Sequence, residues 1–541
     1  MSTSPSAPAA PVINNNTILS KTEAAELGIS HFHREGRSHL YLVKPDAPVA
    51  QPFKKFRTYG VSGEVAKMIS CTCLDSTYVW NDAPIEASAQ EAIALKLRES
   101  LSQVLSSFPM LAGRLTDGGS EVLCSGRGIT FRVQRVEGKA EWLDRDPKRG
   151  TFCDLSLGTQ KLLGWHPLCS VVVTFFDKGG MVLGVTVSHS ICDARSVLTF
   201  LQAWSKIHQG GELDYTPVFD YPSPPEYPQT LFTEQECEQA ARERGWKDVP
   251  GWLTWLIMMG LREHFKSTIE DVPQFDRETL VFKREEVDLM KKSVSEKMKE
   301  FGRPEEDCWV SSSEALNAYV QQEMIRLLDF EWLRSPSEDR GTISTTVSTA
   351  SINQNGGGDQ EGRELQAPGE STPTIVEPIW KSAVLPVDLR GRFGFPKDFF
   401  GNLLGMVTVD MRFEKKWQEV AIEIHDKTRA LFSSPEKCLA HAPLWNSITH
   451  HNKLFWDPKL PIASSPGCLG SWNWQAGMDF IGAVDFGNGT PSRAIPWSVG
   501  EPVKIIKNVD GDFEVHILST TKIYFSKSNQ SISSYGNYHV I

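Results

Sequence analysis

An α/β protein of two domains is what this sequence predicts, and three observations carry the prediction. The chain has 541 residues, more than one ordinary core organises and enough for two domains of about 200 residues each. Runs of apolar and β-branched residues alternate along it with segments of helical periodicity. A proline-rich stretch without periodicity, GGELDYTPVFDYPSPPEYP at 210–228, divides the chain, and a fresh strand-then-helix signal follows it. The predicted organisation is an unstructured N-terminus at 1–16, a first domain at 17–209, a crossover linker at 210–235 and a second domain at 236–541.

The elements follow from the residues in order. Between 93 and 108 the apolar positions Ile93, Leu97, Leu101, Val104 and Phe108 recur at steps of three and four, the mark of an amphipathic helix. Pro109 cannot continue it and Gly113 permits a turn. Cys169 to Phe176 and Met181 to Ser188 read as two strands joined by Asp-Lys-Gly-Gly. The second strand leads straight into HSICDA, after which Val197, Phe200, Leu201 and Trp204 share one helical face. In the second half TLVFKREEVDLMKKSV gives a strand and a helix, and SSSEALNAYVQQEMIRLL gives another helix, with serines for its N-cap and Glu314 to help close its first turn. From 335 to 377 the composition turns to Ser, Thr, Gly, Gln and Glu, which buries too little apolar surface to order itself and predicts a disordered insertion. Order resumes at IWKSAVLPVDLRGRF and ends in short β-like runs such as FEVHILST.

Composition excludes several classes of function. A formal net charge of -11 disfavours nucleic acid and anionic membrane as partners. No segment approaches the roughly 18 apolar residues of a membrane helix. The opening MSTSPSAPAAPVINNN lacks the basic start and apolar centre of a secretory signal, so a cytoplasmic protein is expected. Ten cysteines scattered in apolar context read as reduced thiols rather than a disulfide framework. Cys71 and Cys73 have no partner cluster at zinc spacing, and no metal site is expected.

His189 and Asp193 form the one chemical candidate of this reading. With 13 histidines in the chain a chance H-x-x-x-D match is ordinary, so the spacing alone decides nothing. Its place does more, because a strand-to-helix junction holds side chains rigidly at the mouth of a sheet. A neutral imidazole there can take a proton from a hydroxyl or amine, while an aspartate four residues on braces the turn. The chain has no G-x-S-x-G, H-E-x-x-H, P-loop or dinucleotide fingerprint. His450-His451 has Phe455 where an aspartate would complete the same pattern, which favours a surface or packing role.

Several segments together resemble the BAHD acyltransferases, which move an acyl group from coenzyme A to an alcohol or amine. HSICDA (His189 to Ala194) is similar to the family's H-x-x-x-D-G, and DFGNG (Asp485 to Gly489) to its D-F-G-W-G. FPMLAGRL, SSSEALNAYV, VDLRGR and the Gly401-Asn402 pair agree in order. Ala194 and Asn488 depart from the family's glycine and tryptophan. The resemblance implies two similar chloramphenicol-acetyltransferase-like domains, each a mixed β-sheet with flanking helices, and a solvent channel between them. It implies His189 as general base, Asp193 turned away from substrate toward Arg390, and an oxyanion donor among Ser471, Trp472 and Trp474. Asp485, Phe486, Gly487 and Gly489 would be structural. Acyl-CoA would be a co-substrate, with no permanently bound cofactor, a small-molecule acceptor and a monomeric protein. Two rivals are a condensation-type enzyme fed by a carrier protein, though Ser188 stands where such enzymes usually carry a second histidine, and a silent acyl-binding relative.

Overall fold

The computed structural model describes residues 18–20, 22–23, 38–47, 54–57, 73–116, 121–141, 152–153, 166–219, 247–249, 276–334, 382–392, 395–410, 415–433, 454–456, 484–486, 489, 491–497 and 503–519. The elements of the first part are β1 (Ser38–Val43), β2 (Lys55–Arg57), β3 (Cys73–Trp80), α1 (Ala87–Ser107), β4 (Arg114–Thr116), β5 (Glu121–Leu123), β6 (Ile129–Val136), β7 (Cys169–Phe176), β8 (Met181–Ser188) and α2 (Ala194–His208). Those of the second are β9 (Lys247–Val249), β10 (Asp276–Phe282), α3 (Arg284–Glu300), α4 (Ser312–Arg334), β11 (Ser382–Asp388), β12 (Leu404–Asp410), α5 (Trp417–Ser433), β13 (Leu454–Trp456), β14 (Arg493–Trp497), β15 (Val503–Lys507) and β16 (Phe513–Ser519).

The main sheet is mixed, with strand order β1-β6-β7-β8-β3-β14 and one parallel pair, β6 with β7. β7 and β8 are central, and every residue of both is buried, which is why their sequences are apolar on both faces rather than alternating. On one face α1 and α2 cover Val171, Val173, Leu183 and Val185 with Leu97, Leu101, Phe200 and Trp204 in one core. α1 begins earlier than its apolar periodicity, at Ala87, and stops before Pro109.

The opposite face explains Gly184. A Cβ there would lie 1.7 Å from the carbonyl oxygen of Phe152, so the backbone of that segment packs directly on the strand. Gly184→Ala is expected to cost about 3 kcal/mol by overpacking, measured as a fall in the urea midpoint. A change under about 0.5 kcal/mol would mean that the Phe152 segment moves aside freely.

A second core gathers Val287, Met290, Leu316, Tyr319, Leu403, Val420 and Val515 from α3, α4, α5 and the strands around them. The sheets on this side are β10-β16-β15 and the β11-β12 pair. α4 carries the capping box its sequence suggests, with Ser311 N–H donating to Glu314 at 2.7 Å and Glu314 N–H to the Ser311 hydroxyl at 3.2 Å.

One element departs from the predicted division at 236–541. β14, late in the chain, pairs with β3 in the first sheet, and Ala494 joins the first core. Without β14, β3 would present an unpaired edge. Pro496, which has no N–H to donate, is tolerated because β14 is itself the outer strand. The crossover linker begins by docking on the other side, where Val218 N–H donates to Asp398 O at 3.0 Å and Phe400 N–H to Val218 O at 2.8 Å. Residues 1–16, the insertion at 335–377 and linker residues 220–235 lie outside the described residues.

Candidate active site

β8 delivers the chain to a turn at His189–Ile191, and α2 starts at Ala194 with Asp193 as its N-cap. The Asp193 carboxylate accepts from Ser196 N–H at 2.9 Å, satisfying one of the helix's orphan donors. Ala194 is thus the first residue of a helix, where the backbone has negative φ, and its departure from the family glycine is no strain. Glycine would itself weaken the helix, by up to about 1 kcal/mol.

His189 is half-buried, and its Nδ1 lies 3.0 Å from the carbonyl oxygen of Cys192. A carbonyl only accepts, so Nδ1 carries the ring proton and Nε2 keeps the lone pair. Desolvation lowers the His189 pKa below the ordinary histidine value. Contacts with the local backbone, the Asp193 charge and the Asn402 side chain oppose it without reversing it. The ring is therefore neutral near pH 7, with its basic nitrogen off the turn.

Asp193 is wholly buried and makes no bond to the imidazole among those described. Its carboxylate oxygens meet Arg390 Nη2 at 2.9 and 3.0 Å and Leu403 N–H at 2.9 Å. Arg390 follows β11, and its Nε and Nη1 donate to Phe399 O and Asp388, each at 2.8 Å. Burial pushes the Arg390 pKa down, but the Asp193 and Asp388 carboxylates outweigh it and hold the guanidinium above its ordinary value. Asp193 therefore ties the turn to the second core instead of orienting the ring as a triad carboxylate does.

The segment 401–403 completes the tie. Gly401 O accepts from Asp193 N–H at 3.3 Å, Ser196 Oγ lies 2.9 Å from the same oxygen, and Asn402 Nδ2 donates to His189 O at 2.8 Å. None of these contacts was visible in the sequence beyond the Gly401-Asn402 pair. Nothing local says that an asparagine more than 200 residues downstream reaches the turn.

The second motif sits elsewhere. Asp485 backbone N–H and O both meet Ser205 Oγ, at 2.8 and 2.6 Å, near the far end of α2. At 1.5 Å per residue that is about 18 Å along the helix from Asp193. Phe486 is buried edge-on to Trp204 at 4.7 Å, and Gly489, at φ 78°, offers its carbonyl to Trp80 Nε1 at 2.9 Å. His208 lies beside Phe486 and is a core histidine, its pKa pushed down to about 4 by burial. Ser471, Trp472, Trp474, Gly487, Asn488, His450 and His451 lie outside the described residues. Among the described residues no group of three His, Cys, Asp or Glu is arranged to hold a metal ion, and no helix is long and apolar enough to cross a membrane.

The described sheets and flanking helices, with a histidine on the junction after a central strand, define the fold of the chloramphenicol-acetyltransferase-like acyltransferases. The chain superposes on vinorine synthase with a TM-score of 0.55 at 17% identity, over 89% of this chain and 94% of that one. It also superposes on F. sporotrichioides TRI101, crystallised with coenzyme A and T-2, with a TM-score of 0.55 at 14% identity, over 86% and 94%. By sequence, residues 67–248 match the Transferase family. The BAHD acyltransferase BIA1 of Arabidopsis thaliana is 33% identical over 172 residues, 30% of this chain and 38% of that protein. The 3'-N-debenzoyl-2'-deoxytaxol N-benzoyltransferase of Taxus canadensis is 34% identical over 158 residues, 27% of this chain and 34% of that protein. The chain thus spans little more than a third of the length of these curated relatives.

Proposed function

We propose that the protein transfers an acyl group from acyl-CoA to a hydroxyl or amine of a small-molecule acceptor, with His189 as general base. The observation that carries this reading is the His189 Nδ1 contact with Cys192 O, which leaves Nε2 as a neutral base at the end of β8. His189 Nε2 takes the acceptor's proton as its oxygen or nitrogen attacks the thioester carbonyl. The tetrahedral oxyanion collapses, the C–S bond breaks, and the imidazolium returns the proton to the CoA thiolate. Ser471, Trp472 and Trp474 are the proposed sources of the oxyanion donor. Asp193 and Arg390 hold the turn and touch no reactant. Asp485, whose backbone meets Ser205 about 18 Å along α2 from Asp193, is given a structural role rather than that of an acid.

Support comes from relatives named for acyl transfer and from a fold neighbour crystallised with coenzyme A. The two domains, with a channel between them for the two substrates, are part of the proposal, as are a cytoplasmic location and a monomer. The test is thiol release from a panel of acyl-CoAs, from acetyl and malonyl to benzoyl and long-chain, against pooled alcohols and amines. Release that does not depend on added acceptor would count against transfer.

The pH dependence has a definite sign. Only neutral His189 is active, and desolvation lowers its pKa, so protonation on acidification comes later than for an ordinary histidine. kcat/KM is expected to be flat at and above neutral pH, with the midpoint of its acid limb below about 6.5. A midpoint above 7 would show a base other than this imidazole.

A further inference from the structure

We propose that Asn402 is a positioning residue for His189, anchoring the backbone of the turn that aims the imidazole; this rests on the reading of His189 as the base. Nδ2 of Asn402 donates to His189 O at 2.8 Å and lies 3.4 Å from Ser190 O. Both acceptors belong to the three-residue turn between β8 and α2, whose internal bond is Ile191 N–H to Ser188 O at 3.2 Å. Asn402 comes from the segment before β12, in the second core, and its neighbours on both sides are already fastened. Gly401 meets Asp193 and Ser196, and Leu403 N–H holds the Asp193 carboxylate. Those contacts secure residues 193–196. Asn402 alone among them reaches the carbonyl of the histidine itself.

The Asn402 side chain also acts on the ring, raising the His189 pKa against its desolvation. Among the described residues the charged group that acts on that ring is Asp193 at the start of α2, in the same direction, and Arg390 after β11 pairs with Asp193. An amide at 402 therefore does two things for the base. It fixes the backbone from which the imidazole projects, and it favours the imidazolium that forms when the proton arrives.

The experiment uses the full chain as wild type, Asn402→Ala and the near-isosteric Asn402→Asp, which keeps the shape and loses the donor. Diethyl pyrocarbonate, which reacts with neutral imidazole, is applied from pH 5 to pH 8, and His189 modification is followed by peptide mass spectrometry. The midpoint is expected to move to lower pH in Asn402→Ala and to higher pH in Asn402→Asp. In thiol release both variants are expected to lose about 10- to 100-fold in kcat, with KM for acyl-CoA within about twofold. In a His189→Ala background either substitution is expected to change the residual rate by less than about twofold, because a residue acting through the imidazole has nothing left to act on. Wild-type modification profiles in both variants, or equal rate losses in both backgrounds, would overturn the assignment. The modification arm needs no acceptor and no catalysis. Full activity in His189→Ala with shifted profiles in the Asn402 variants would sink the base and leave the anchor standing.

Discussion

His189→Ala is expected to lower kcat/KM for acyl transfer by about 100- to 10,000-fold, the range a positioned general base contributes. The size follows from what an alcohol acceptor is without a base, a neutral hydroxyl far from ionising at pH 7. The loss is expected in kcat, because the imidazole acts on the proton in flight rather than on either bound substrate. It is also expected to spare the fold. The ring bonds Cys192 O and is also in contact with the Asn402 side chain. The contacts that hold the turn use the His189 carbonyl, Asp193 and Ser196, all of which survive the substitution. Thiol release measured beside the thermal midpoint checks both halves. A variant that keeps more than about a tenth of wild-type kcat/KM would mean that the acceptor loses its proton to another group.

How far this was legible in the sequence depends on the range of the interaction concerned. β7 and β8 could be read to the residue, since apolar β-branched runs broken by Asp-Lys-Gly-Gly leave little choice. The helix after Asp193 was equally local, though the capping role of the aspartate was not read. Arg390 was found only through resemblance, because no local pattern tells an arginine 197 positions away that it faces Asp193. β14 was missed for a related reason. RAIPW is five residues long and contains a proline, and what makes it a strand is the open edge of β3, supplied by a segment some 400 residues earlier. Asn402 combines both difficulties, a distant residue whose partner is a backbone carbonyl and so leaves no complementary side chain to look for.

The second large effect concerns stability. Arg390→Met is expected to destabilise the protein by about 3 to 5 kcal/mol, the cost of removing one partner from a buried pair. The Arg390 side chain is 4% exposed and that of Asp193 is fully buried. Methionine matches the length of the stem but leaves the carboxylate with only the Leu403 and Ser196 backbone donors. It also removes the side-chain donors to Phe399 O and Asp388, the latter keeping the backbone N–H of residue 390. Asp193→Asn should cost less, because asparagine still caps α2 and Arg390 keeps Asp388. The double variant separates charge from packing. If the loss in Arg390→Met comes mainly from an uncompensated carboxylate, adding Asp193→Asn should recover at least about 1 kcal/mol. Urea midpoints for the two single variants and the double variant make the cycle. A double variant no better than Arg390→Met alone would show that the pair matters through the carbonyls and shape that Arg390 fills, and that the charge on Asp193 is incidental to holding the turn.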